Sequence, residues 1–190
     1  MPGIAVFLDR DGTLNEDPGY LGDPTAVVLF PGTGEALSDL KKKLDPKLIV
    51  ISNQSGIARG LISHQDVKNV NDRINELLAE HNVKIDAFYY CPFHPGFSSE
   101  ENCSCRKPSP EMIYKAVREH NIILEKSYFV GDSLSDIECG NNAGIKTVLV
   151  KTGYGMETLS ILQKQNKFPS FVAENISDAC NIIIKDYTGD

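Results

Sequence analysis

The chain has 190 residues, 41% hydrophobic and 24% charged, which is enough for one domain with a sizeable core and short for two. A net charge of −7, with 19 basic residues that form no stripe, argues against nucleic-acid binding, and no apolar run approaches the ~20 residues of a membrane span. The N-terminus, MPGIAVFLDR, has no basic segment leading into a long apolar one, so a cytoplasmic protein with no membrane partner is expected.

In chain order, IAVFL (4–8) reads as a buried strand. A helix follows, with Thr33 as its cap, Leu37, Leu40 and Leu44 on one face, and KKK at 41–43 complementing the dipole at its end. KLIVIS (47–52) is the next strand. Val67, Val70, Ile74, Leu77 and Leu78 then share a helix face behind a capping pair of Ser63 and Asp66. IDAFYY (85–90) is a third strand, and SPEM starts a helix with Ser109 as cap and Pro110 in its first turn. SYFVG (127–131), a short helix carrying Ile137 and Ala143, KTVLV (146–150), and a helix marked by Ile176, Ala179, Ile182 and Ile183 complete the series.

The strands are continuously apolar rather than alternating, as in a parallel sheet covered on both faces. The expected fold class is α/β, a doubly wound, Rossmann-like parallel sheet forming a single domain over residues 1–190 without a large cap. Its ligand crevice would lie beyond the carboxyl ends of the strands. Loops 15–26 and 91–109 are longer than connection requires, as functional loops often are.

The first strand runs into DRDGT, where strand periodicity aims Asp9 and Asp11 the same way and Gly12 permits a tight turn. Neighbouring carboxylates repel, so either a cation sits between them or one holds a proton. A plain Asp-Gly turn is the competing reading. It weakens because other strand ends carry matching chemistry: SNQSG brings Ser52 and Asn53, GDSLSD brings Asp132 and Asp136, and CRKPSP brings Lys107. Four carboxylates at one sheet edge require a cation, and an all-oxygen set suits Mg²⁺.

DRDGT, SNQSG, Lys107 and GDSLSD, in that order over roughly Ile4 to Val150, resemble the four motifs of the haloacid dehalogenase superfamily of phosphotransferases. Within it, DRDGTLNEDPGYLGDPTAVVLFPG, SNQSGIARG and YYCP…CSCRKPSP are similar to the heptose-bisphosphate phosphatases, with the histidinol-phosphate phosphatases as close relatives. The resemblance implies Asp9 as nucleophile through an aspartyl-phosphate and Asp11 as general acid and base. It implies Ser52 and Lys107 on the transferring phosphoryl oxygens, and Mg²⁺ held by Asp9, the Asp11 carbonyl and Asp132. The implied substrate is a small phosphorylated sugar losing its 7-phosphate, D-glycero-D-manno-heptose 1,7-bisphosphate. Arg10, Asp17, Tyr20, Asn53 and Arg106 are the candidate substrate contacts, and the chain is expected to act as a monomer. Asp136 reads equally as a partner of Lys107 or a metal water and as a first-turn acid favoured by the helix dipole.

Five cysteines in a chain of this type argue against a disulfide framework. Cys91, His94, Cys103 and Cys105 crowd one Pro- and Gly-containing loop, 91–105, and match a structural Zn²⁺ site of the Cys₃His type. The family pattern places the histidine at C-x-H, whereas this chain has Phe93 there and His94 one position later. Cys139 and Cys180 read as small buried hydrophobes. Two readings from other classes stand beside the enzyme: a receiver-like phosphate-binding domain without turnover, and a scaffold for a zinc-dependent interaction loop.

Overall fold

The computed structural model describes residues 3–189. Six parallel strands form one sheet in the order β3-β2-β1-β4-β5-β6. They are β1 (Ala5–Leu8), β2 (Lys47–Asn53), β3 (Ala87–Cys91), β4 (Tyr128–Gly131), β5 (Lys146–Val150) and β6 (Phe171–Ala173). The helices are α1 (Thr33–Leu44), α2 (His64–Ala79), α3 (Glu111–His120), α4 (Leu134–Ala143), α5 (Gly155–Lys164) and α6 (Ile176–Thr188). No described helix is long and apolar enough to cross a membrane.

Alternation along β1 divides the core. Val6 and Leu8 point into a cluster with Leu37 and Leu40 of α1, Val70 and Ile74 of α2 and Ile183 of α6. Ala5 and Phe7 point the opposite way, toward Ile113 of α3 and Cys139 of α4. Both faces are dry, which is why β1, β2 and β4 read as unbroken apolar runs. Burying the Phe7 and Phe129 side chains contributes ~1.5–3 kcal/mol each.

Several local expectations shift. Gly32, at φ +80°, caps α1, while Thr33 is already helical and donates its hydroxyl to the Phe30 carbonyl at 2.8 Å. Pro110 rather than Ser109 is the residue before α3. The third strand runs 87–91 because Asp86 turns aside to accept the Leu48 amide at 2.9 Å. Strand β6 and helix α5 have no counterpart in the sequence reading. The strand is three residues long, and the helix begins on a glycine, so neither carries a strong local signal. The Ser63–Asp66 capping box is present as expected.

Candidate active site

After β1 the chain makes a tight turn in which the Gly12 amide donates to the Asn15 carbonyl at 2.8 Å and the Leu14 amide to the Arg10 carbonyl at 2.9 Å. Gly12 sits at φ +86°, and a Cβ there would fall 2.3 Å from Oδ2 of Asp132. Only glycine allows this turn to press against the end of β4. Asp9, Asp11, Ser52, Lys107 and Asp132 thereby line one cleft of about 410 Å³ at the carboxyl ends of β1, β2 and β4.

The floor of the cleft carries more negative than positive charge. Asp9, Asp132 and Asp136 each place a carboxylate oxygen within 4.8 Å of the others. One ammonium faces them: Lys107 Nζ lies 2.5 Å from Asp9 and 2.6 Å from Asp136, and donates to the Ile51 carbonyl at 2.8 Å. Asp136 Oδ2 accepts the Ser133 amide at 2.9 Å in a capping box, so this acid is occupied by the lysine and by its own helix. Both readings of Asp136 hold at once. Asp9 and Asp132 remain as an all-oxygen pair suited to a hard divalent cation, and the residues fit Mg²⁺.

Burial and the neighbouring acids have consequences for protonation. Desolvation pushes the Asp9 carboxyl well above its ordinary range, against the pull of Lys107. Desolvation and then Asp136 push Asp132 up to about 7. Lys107 is buried too, but Asp136 and Asp9 outweigh burial and raise its pKa. For carboxyls with raised folded pKa values, the stabilising contribution is complete below the unfolded value near 3.8 and is lost as pH rises through the folded value. Chelator-treated protein is therefore expected to melt about 5–10 °C lower at pH 8 than at pH 5, with Mg²⁺ restoring most of the difference at pH 8. Differential scanning calorimetry checks this, and a flat profile would contradict the charge excess.

Asp11 differs. Burial would raise its pKa, but Arg10, Asn15 and Gln54 together lower it. Arg10 Nη2 lies 2.8 Å from Oδ2, Asn15 donates to Oδ1 at 3.0 Å, and Gln54 donates to Oδ2 at 2.9 Å. Arg10, a candidate substrate contact, is 1% exposed and lies behind Asp11, where it also donates to Asn71 of α2 at 3.2 Å. It is absent from the cleft wall because its charge is needed to hold Asp11. Asn53 reaches the cleft, yet its amide is engaged with the Lys107 backbone, accepting from the amide at 3.0 Å and donating to the carbonyl at 3.2 Å. That reciprocal pair fixes where the lysine enters, next to a cis Lys107–Pro108 bond.

Asp17 and Tyr20 come from loop 15–26 and Arg106 from loop 91–109, and all three line the cleft. Asp17 accepts the Gly19 amide at 2.8 Å, and Arg106 donates to the Phe93 carbonyl at 3.2 Å. The sequence reading missed Gln54, Ser135 and Tyr154, which share the wall. Gln54 belongs to the SNQSG motif and also donates to Ser52 Oγ at 2.7 Å. Tyr154 follows β5, where Thr152 donates to the Gly12 carbonyl and the Tyr154 amide to Asp132, each at 2.7 Å. The signal available was position: KTGYG closes an apolar strand as the other site motifs do.

The cysteine loop departs from expectation on two counts. Cys91 and Cys105, with Cα atoms 5.6 Å apart, are joined as a disulfide, although none was expected. Cys103 is free, and the His94 ring stands 3.1 Å from Arg59 rather than among the sulfurs. The four zinc ligands are not gathered, because two sulfurs are spent on each other and the one-residue displacement past Phe93 turns His94 toward an arginine. Among the described residues the metal-type cluster is that of Asp9, Asp132 and Asp136.

A HAD-hydrolase-like family model matches residues 104–179. A D-glycero-D-manno-heptose-1,7-bisphosphate 7-phosphatase of Chlorobaculum tepidum is 41% identical over 183 residues, covering 92% of this chain and 90% of that protein. The D-glycero-beta-D-manno-heptose-1,7-bisphosphate 7-phosphatase of Pasteurella multocida is 40% identical over 182 residues, covering 94% and 96%. The crystal structure of D,D-heptose 1,7-bisphosphate phosphatase from B. bronchiseptica, complexed with magnesium and phosphate, superposes with a TM-score of 0.85 at 31% identity, over 96% of this chain and 99% of that one. With the motif residues converging as described, this chain belongs to the heptose-bisphosphate phosphatase family of the haloacid dehalogenase superfamily.

Proposed function

We propose that the protein is a magnesium-dependent phosphomonoester hydrolase that removes the 7-phosphate of D-glycero-D-manno-heptose 1,7-bisphosphate by way of an aspartyl-phosphate. One observation carries the reading: Asp9, Asp11, Ser52, Lys107 and Asp132 line a single cleft, as the motif roles require.

In the first half-reaction an Asp9 carboxylate oxygen bonds to phosphorus, and the ester P–O bond breaks with its electrons passing to the sugar oxygen. Asp11 gives that oxygen a proton. In the second, water attacks the aspartyl-phosphate, Asp11 takes the water's proton, and the Asp9 carboxylate is released with inorganic phosphate. Lys107 and the Ser52 hydroxyl contact the equatorial phosphoryl oxygens, where positive charge and hydrogen bonds act mainly on the transition state. Mg²⁺ held by Asp9, Asp132 and the Asp11 carbonyl would supply the positive charge that this acidic floor lacks.

Asp11 must alternate between two forms. Arg10, Asn15 and Gln54 hold it ionised in the free protein, the form the second half-reaction uses. A phosphate dianion entering beside it raises its pKa by like-charge repulsion, which supplies the protonated form for the first. General acid–base assistance of this type contributes ~10²–10⁴-fold in rate.

Loops alone roof the cleft, so small soluble esters have access. Asp17, Tyr20 and Arg106 line the cleft, which supports contact with the sugar and its second phosphate, and Ser133 lines the same wall. Side-by-side kinetics on heptose bisphosphate, fructose bisphosphate and histidinol phosphate test the assignment. The heptose ester is expected to show the highest kcat/KM by at least about tenfold, a margin of ~1.4 kcal/mol. Preference for histidinol phosphate would move the protein to the sister family.

A further inference from the structure

The second half of SNQSGIARG has no role in the chemistry above, yet it carries Arg59, which packs against the loops that line the cleft. Arg59 sits on the turn after β2, its amide bonded to the Ser55 carbonyl at 3.2 Å, while the preceding Ala58 amide reaches the Pro92 carbonyl at 3.2 Å. Its guanidinium carbon lies 5.7 Å from the ring centre of Tyr20, on loop 15–26, and 4.8 Å from that of Phe97, on loop 91–109. Nη2 stands 3.1 Å from His94 Nε2, also on loop 91–109. No carboxylate pairs with Arg59 among the described residues, and its Nε is buried without a partner.

Three segments of chain, distant in sequence, thus meet on one cation. Tyr20 also packs closely on the same turn: a Cβ on Gly56 would come within 2.9 Å of its ring. Phe97 is 58% exposed and so gains little of its placement from a core. Protonating His94 would add a third positive charge beside Arg59 and Arg106, and burial together with those two arginines lowers its pKa. The imidazole therefore stays neutral and can lie against the guanidinium.

We propose that Arg59 is a positioning residue that fastens loops 15–26 and 91–109 to the turn after β2 and so sets the mouth of the cleft for the sugar part of the substrate. The inference rests on the phosphatase reading for its kinetic test. Arg59 acts through Tyr20 and through the loop that carries Arg106, both of which line the cleft. The phosphoryl end is built by Asp9, Lys107 and Asp132 and does not depend on it.

Steady-state kinetics on heptose bisphosphate and on p-nitrophenyl phosphate, which has no sugar, separate the two ends. Arg59→Met is expected to raise KM for the sugar ester about tenfold while kcat on p-nitrophenyl phosphate stays within about twofold. Arg59→Lys, which keeps a cation over the rings, recovers part of the loss. Phe97→Leu raises KM about threefold, and combining it with Arg59→Met gives less than the product of the two effects. Independently of substrate, a Glu-specific protease is expected to cut Arg59→Met faster at the exposed Glu100 and Glu101 than it cuts the wild type. Unchanged KM, equal losses on both esters, or unchanged cleavage would overturn the proposal. A wild type that hydrolyses p-nitrophenyl phosphate but not the heptose ester would instead refute the substrate assignment, and the protease comparison would still decide the role of Arg59.

Discussion

Replacing Asp9 by asparagine is expected to lower phosphate release from any ester by on the order of 10⁴-fold or more, the scale seen when a nucleophile is removed. An amide oxygen cannot form the acyl-phosphate bond, although it preserves the shape and still accepts from Lys107. The same substitution is expected to stabilise the protein. Asp9 is one of two buried carboxylates paired with one ammonium, with Asp132 close by, and its charged form is disfavoured by desolvation before any cation arrives. Removing that charge leaves Asp136 paired with the lysine and Asp132 with one fewer acid beside it, so chelator-treated Asp9→Asn should melt higher than chelator-treated wild type at pH 8. Mg²⁺ should raise its melting temperature less than it raises that of the wild type. Phosphate-release assays and calorimetry on the same preparation check both halves, and activity within about tenfold of wild type would end the nucleophile assignment.

Lys107→Met should have the opposite effect on stability. Lys107 is 4% exposed and its ammonium is the partner of both Asp9 and Asp136, so its loss leaves buried acids uncompensated. Breaking a buried ion pair from one side typically destabilises by ~3–5 kcal/mol, and the cation-free variant should lose stability on that scale. Turnover is expected to fall about 10³-fold, since a positioned charge on the phosphoryl oxygens is lost as well. The double variant Lys107→Met, Asp136→Asn separates the two effects. Removing the acid that the lysine served should recover part of the melting temperature and none of the rate. A double variant no more stable than Lys107→Met alone would show that the pairing contributes little to the fold.

The legible parts of this protein are those written in contiguous residues. Unbroken apolarity in IAVFL, KLIVIS and KTVLV marks strands buried on both faces, and the Ser63–Asp66 box marks a helix start, because both depend on neighbours within a few positions. Strand β6 and helix α5 escaped because Phe171–Ala173 is too short to show a period, and a glycine-led helix shows little propensity. The predicted zinc ligands are not gathered for a related reason. Cysteine spacing reports which residues share a loop, not which sulfur meets which, and Cys91 and Cys105 meet each other.

From the sequence alone came the fold class and, through the family resemblance, the proposed nucleophile with its neighbouring acid and the metal-suited pair of Asp9 and Asp132. Each motif sits at the end of a strand, and a parallel sheet brings all strand ends to one edge whatever the details of packing. Tertiary structure alone decided the direction of each charge at that edge. It turned Arg10 inward to hold Asp11 and gave both Asp9 and Asp136 to Lys107. It also brought Tyr154 to the cleft wall and set Arg59 against Tyr20 and Phe97. The physical reason is range: strand and helix signals act over a few residues of chain, whereas electrostatic partnership acts over a few ångströms of space. Asp9 and Lys107 are separated by 98 residues and by 2.5 Å.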